Sequence, residues 1–293
     1  MDALGYDPGF LATPCPLPAT GPGRDIRELA YTHFTVLLDT DRRLAAATGV
    51  NIDGATLLDL GRGDDWHLDE RVSADQQTGP EVYARNDLDR GHLVRRRDPL
   101  WGDAQTASAA NVDTFCYTNA APQAAEFNQS KELWNGLEDY VLAYAETHRQ
   151  RLSVFTGPVF GGSDPEYRGA RIPLRFWKIA CWATPPAVTP GGGDPAASAP
   201  HLAASAYLLD QSPQLDGIDL EAALAQARAA DAPPPLGPYR TFQLPVADVA
   251  TLTALDLGPL EAADVYEPVP AASGAPPGHP LWRELTSAAQ LRF

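Results

Sequence analysis

The stretch from Asn86 to Gly102, NDLDRGHLVRRRDPLWG, sets one histidine, His92, among Arg90, Arg95, Arg96 and Arg97. A neutral imidazole can take a proton from water near pH 7. A guanidinium holds phosphate oxygens, through two parallel bonds where the geometry allows. Those are two of the three things that hydrolysis of a phosphodiester needs. The third is a divalent cation, which stabilises charge on the phosphate and on the leaving oxygen. Mg2+ keeps most of its waters and needs only one or two protein oxygens. Asn128 offers an amide oxygen, and Glu138, ten residues on, could hold a metal-bound water. Gly91, just before the histidine, permits tight backbone geometry there.

The composition frames this constellation. The formal net charge is -16, so a general basic footprint for nucleic acid is absent. Between Arg85 and Arg97, however, five arginines face Asp87 and Asp89, a local balance of about +3 with His92 neutral. Fields act mainly within about a Debye length, so a cationic cleft can attract phosphate on an acidic protein. The alternative reading of such a run is a solvated loop. The 293 residues are 44% hydrophobic and 20% charged, which predicts a globular core in one large domain or two small ones. No run approaches the ~20 apolar residues of a membrane helix. MDALGYDPGFLATPCPLP has neither a basic nor an apolar leader segment, so no signal peptide is expected. That suits a cytoplasmic chain, or a secreted one whose leader has been removed. Cys15, Cys116 and Cys181 are odd in number, far apart and outside any CxxC pair, so neither a disulfide framework nor a zinc knuckle is expected.

Other candidates carry less. The remaining histidines, His33, His67, His148, His201 and His279, form no HExxH pattern, which argues against a zinc hydrolase. RGDDWHLDE (62–70) is rich in acid but lacks the spacing of an EF-hand, and reads as a solvated loop. Arg168, Arg171, Arg175 and Lys178 either line a groove or face water.

The elements that must position these groups follow from periodicity. Residues 31–39 and 44–53 read as a hairpin around TDRR, 112–119 as a strand, and 122–148 as a long helix with Pro122 in its first turn. Residues 151–162 and 171–184 read as buried strands, ASAYLLDQS and TFQLP as short strands, and VADVATLTAL as a short helix. Residues 185–200 and 231–238 are loops by composition. Residues 1–28 read as an extended lead-in and 270–293 as a peripheral tail. The expectation is a single α+β domain, 1–293, on a central, mostly antiparallel sheet.

DRGH (89–92), TNAAPQ (118–123), FNQ (127–129) and WNGLE (134–138), in that order, resemble the DNA/RNA non-specific endonuclease family. This family includes endonuclease G and the sugar-non-specific bacterial nucleases. The resemblance covers about Tyr31 to Leu260. It implies a ββα-metal motif packed on an antiparallel sheet, and Mg2+-dependent cleavage of DNA and RNA, with Mn2+ able to substitute. It implies His92 as general base, Asn128 as metal ligand, and Glu138 as holder of metal-bound water. Arg90 would contact phosphate, Asn119 would support the site, and Arg62 would match an upstream arginine that stabilises the transition state. Family members are often dimers, and a nuclease in a cell implies an inhibitor or another restraint. A nuclease effector held by a partner and a catalytically inactive nucleic-acid-binding module are the rival readings.

Two departures stand out. Asn128 to Trp134 is six residues where the family has four, and two extra residues turn a helix by about 200°. A bulge or a later helix start would absorb this, and Glu132 is a rival for the role of Glu138. Thr118 also stands where serine is usual.

Overall fold

The computed structural model describes residues 4–125, 129–185, 200–213, 217–237, 239–268, 278–287 and 290. Eight strands form one antiparallel sheet. In chain order they are β2 (Ile26–Tyr31), β3 (Phe34–Asp39), β4 (Leu44–Asp53), β7 (Arg151–Val159), β10 (Arg175–Thr184), β11 (His201–Asp210), β12 (Arg240–Leu244) and β14 (Arg283–Leu285). Their spatial order is β14-β12-β11-β10-β7-β4-β3-β2. Three further two-stranded pairs lie outside it: β1 (Ala19–Thr20) with β13 (Leu255–Asp256), β5 (Leu88–His92) with β6 (Ala120–Ala124), and β8 (Glu166–Tyr167) with β9 (Ala170–Arg171).

The sheet is covered on both faces, so its central strands are buried almost throughout. β10 shows how the period of two divides the core. Phe176, Ala180 and Trp182 join one apolar cluster, while Trp177, Ile179 and Cys181 join the other. The first cluster takes in Leu137, Val141, Leu142 and Ala145 of helix α3 (Gln129–His148). The second takes in Tyr6, Phe10, Leu11 and Cys15 of the lead-in, with Val246 and Val249 of α5 (Val246–Thr253). The same alternation turns Lys178 towards the face that carries α3.

The hairpin and the sheet strands match the sequence expectation, with β2 added at the edge. Residues 112–119 do not form the expected strand. After a single-turn helix α1 (Pro80–Tyr83), helix α2 (Ala104–Asp113) occupies their start; Asp103 caps its first turn by accepting from the backbone N–H of Gln105 and of Thr106 at 2.9 Å each. A 3-10 turn, Tyr117–Asn119, follows. The strand that partners β5 is β6, with His92 opposite Ala120 and Arg90 opposite Pro122. Pro122 therefore sits in the ribbon and not in the helix. A two-stranded ribbon leaves an unpaired edge, so the missing N–H is tolerated. The expected helix is described over Gln129–His148, and residues 122–124 belong to β6 instead. Helix α4 (Gly217–Ala229), rich in alanine and leucine, was not anticipated. Within the expected peripheral tail, β14 closes one edge of the sheet against β12. Trp282 anchors it, buried beside Phe242 and donating from its indole N–H to Asp248 at 2.6 Å.

One buried amide ties the β5–β6 ribbon to the sheet. Gln211, directly after β11, donates to the Pro173 carbonyl at 2.7 Å and accepts from the Ala124 N–H at 3.1 Å. Leucine there would remove both bonds from the interior. Gln211→Leu is expected to lower unfolding stability by about 2–3 kcal/mol in urea titration. A loss under about 0.5 kcal/mol would mean that packing alone holds the ribbon.

Candidate active site

β5 ends on His92, and the chain that follows meets the middle of α3, where Arg95 reaches Glu138 and Asp139. This brings the arginine-rich stretch against the helix and opens a cleft of about 440 Å³. His92, Arg62, Arg90, Arg95, Arg96, Arg97, Trp66 and Glu138 line it, together with Asp64, Asp89, Gly91 and Gln123. Arg85, counted in the same charge run, does not line it.

His92 stands in an aromatic frame. Its ring is tilted against Trp66 at 4.7 Å and meets Phe115 edge-on at 5.2 Å. Burial, with the charges of Arg62 and Arg96, pulls its pKa down to about 3. The imidazole is therefore neutral at physiological pH. Its Nε2 is buried and has no hydrogen-bond partner among the described residues, and the same holds for Arg95 Nη1 and Arg97 Nε. Buried polar groups are nearly always paired, so three such atoms around one cleft mark where a polar ligand belongs.

The arginines are not equivalent. Arg90 lies over the Trp66 ring at 5.6 Å. Arg96 donates to the Leu60 carbonyl at 3.0 Å and to Asn111 at 3.1 Å, which fixes its guanidinium. Arg62 is exposed at the rim. Arg95 pairs with Glu138 at 3.7 Å and contacts Asp139. Burial works against its charge, but Asp98, Glu138 and Asp139 more than offset this and hold it protonated.

Glu138 is gripped from below. Its Oε1 lies 3.2 Å from Lys178 Nζ, and the lysine side chain is only 2% exposed. Lys178 also donates to Thr156 Oγ1 at 3.1 Å. Burial pushes the nearby Asp98 carboxyl up to about 7, with Lys178 and Arg95 pulling it the other way. Lys178 thus neither lines the groove nor faces water, the two roles open to it from sequence. It is a buried cation beneath the carboxylate.

Asn119 lies outside the cleft and supports it. Its side chain accepts from the Val94 N–H at 2.8 Å and donates to the Val94 and Thr114 carbonyls at 3.0 Å each. It thereby clamps the backbone just past His92. Thr118 keeps the hydroxyl that serine would supply, 2.5 Å from the buried Tyr31 hydroxyl. Gly91 does not adopt a left-handed backbone. Its hydrogen leaves room for the Gln123 side chain, which a Cβ would strike. Asn128 and the side chain of Glu132 lie outside the described residues.

A histidine-bearing ribbon followed by a helix that presents a carboxylate to the same cleft, all packed on an antiparallel sheet, defines a ββα nuclease architecture. The chain belongs to the DNA/RNA non-specific endonuclease family, whose model matches residues 17–263. It is 36% identical over 286 residues to "Uncharacterized protein y4fB" of Sinorhizobium fredii (strain NBRC 101917 / NGR234), a match covering 89% of this chain. The chain spans 40% of that relative's length. Its fold is similar to a chain in the crystal structure of the EndoG/EndoGI complex, with a TM-score of 0.50 and 17% identity over 80% of this chain and 86% of that one.

Sequence reading missed Trp66, Asp98 and the role of Lys178. A tryptophan inside the charged run RGDDWHLDE and a lysine inside the apolar strand RFWKIACWAT were the available signals.

Two outcomes are expected. Lys178→Met should cost about 2–3 kcal/mol in chemical denaturation, because it removes the cation from one oxygen of a largely buried carboxylate and leaves only Arg95 at the other. Lys178→Met combined with Glu138→Leu should recover much of that, whereas equal losses would assign the effect to packing. For His92, the unfolded chain binds its proton near pH 6.5 and the folded chain only near pH 3. The stability held by the neutral ring is complete above about 6.5 and is lost as the pH falls towards 3. NMR of the His92 ring should therefore show no titration between about pH 8 and 5, and a midpoint above 6 would contradict a desolvated ring.

Proposed function

We propose that this protein is an endonuclease that hydrolyses phosphodiester bonds of both DNA and RNA with little sequence preference, dependent on Mg2+ with Mn2+ as a substitute. The observation that carries this reading is the neutral imidazole of His92, whose Nε2 has no described partner in a cleft lined by arginines.

The donors suit a hard cation. Asn128 would bind it through its amide oxygen. Glu138 would hold one of its waters, since Lys178 and Arg95 already engage the carboxylate. When bound, the ion would stabilise charge on the phosphate and on the departing 3′ oxygen. His92 Nε2 would accept a proton from the attacking water. Arg90, and Arg62 at the rim, would hold non-bridging oxygens. Trp66 and Phe115 keep the His92 ring oriented and exclude bulk water from its inner face. The products would carry 5′ phosphates. Glu132 remains the rival of Glu138 as the water-holding carboxylate.

A second reading concerns restraint. The related y4fB chain is longer than this one, and the neighbouring fold was solved in a complex described as EndoG inhibition. Both favour a nuclease domain governed by a partner, either another part of a longer chain or a separate inhibitor.

Supercoiled plasmid and a structured RNA, each incubated with Mg2+ or with EDTA, test the proposal. Both should be cut only with the metal, and His92→Ala should lower the rate by roughly 10²–10⁴. Cleavage of one substrate alone would discard the non-specific label. Binding without cleavage would favour the inactive nucleic-acid-binding module. Unchanged cleavage by His92→Ala would remove the histidine from its role.

A further inference from the structure

Behind the sheet, on the face away from the cleft, two of the three cysteines meet. Cys15 Sγ lies 3.3 Å from Cys181 Sγ, and both residues are 0% exposed. The separation exceeds a covalent S–S bond of roughly 2.04 Å by about 1.3 Å, a gap that small side-chain rotations can close. The two arrive from unrelated places. Cys181 projects from β10, beside the Ser153 carbonyl at 3.2 Å. Cys15 belongs to the lead-in, which has neither helix nor strand between residues 4 and 18. Its backbone is nonetheless set. The Cys15 N–H donates to the Pro8 carbonyl at 2.9 Å, and the Tyr6 hydroxyl donates to the Cys15 carbonyl at 2.7 Å. Cys116 is on the α3 side of the sheet, in the other apolar cluster.

We infer that Cys15 and Cys181 are a disulfide-forming pair, which fastens the lead-in to the central sheet when the protein folds in the presence of a small-molecule disulfide. The family match begins at residue 17, so the bond would join a segment outside the matched region to the core. With oxidised glutathione as the oxidant, the Cys15 thiolate attacks one glutathione sulfur and releases one glutathione thiolate. The Cys181 thiolate then attacks the Cys15 sulfur and releases the second. Two protein thiols are oxidised, one glutathione disulfide is reduced to two thiols, and the two protons pass to the departing thiolates. The two residues lie 166 apart in sequence, a long loop to close. A cross-link over such a span restricts the unfolded chain strongly. This inference is independent of the nuclease reading.

The test is to refold the reduced, full-length protein in a mixture of reduced and oxidised glutathione, and to count alkylatable thiols under denaturing conditions. The parent should fall from three thiols to one, lose about 2 Da, and yield a peptide linking Cys15 to Cys181. Its Tm should rise by about 5 °C or more and return with dithiothreitol. Cys116→Ser should form the same bond, and Cys15→Ser should form none. Three free thiols, a bond through Cys116, or a persistent glutathione adduct on Cys15 would each overturn the inference.

Discussion

The ion pair between Lys178 and Glu138 joins the centre of the sheet to the helix over the cleft, and the site depends on it. Two opposite charges taken from water are costly unless they meet closely and their other bonding groups are satisfied. Here the ammonium meets one carboxylate oxygen at 3.2 Å and the Thr156 hydroxyl at 3.1 Å, while Arg95 approaches the other oxygen. Such an arrangement admits few side-chain geometries. A rigid strand therefore dictates where the carboxylate of α3 points, and the stretch that follows His92 is drawn towards the same point through Arg95.

The electrostatics of the cleft follow from concentrating one sign of charge on a protein of the other. At -16 overall, the surface repels polyanions at long range. Five arginines around His92 reverse that locally, and burial of the ring, with the charges of Arg62 and Arg96, suppresses protonation of the imidazole. Charges on the same cleft thus contribute to keeping the His92 ring unprotonated. Some are fixed by the protein itself, as Arg96 is by Leu60 and Asn111. Arg62 and Arg90 sit where a substrate could reach them. Asn119, buried and bonded to Val94 and Thr114, completes the scaffold without entering the cleft.

Much of this was legible in the amino-acid sequence. Strand alternation and turn residues located the hairpin and the long sheet strands, because burial of a sheet face imposes a period of two. The order of DRGH, TNAAPQ, FNQ and WNGLE pointed to the family, and His92, Arg90 and Glu138 do line one cleft. The local errors have local causes. VDTFCYTN has strand-like composition, but α2 takes its first two residues and a 3-10 turn its last three. Pro122 suits a helix start and a ribbon edge equally well, and the choice between them was made by pairing with Arg90.

What the sequence determined by itself was the chemistry on offer: a base, a carboxylate, an amide and a set of cations in a fixed order, with patterns that fold into strands and helices. What only the tertiary structure decided was which of those groups meet. Lys178 lies 40 residues from Glu138, and Trp66 lies 26 before His92. Neither pairing has a sequence period, because each arises from packing separate elements across a sheet or beside a ribbon. Contacts of that kind depend on how whole faces fit together, and no local propensity encodes them.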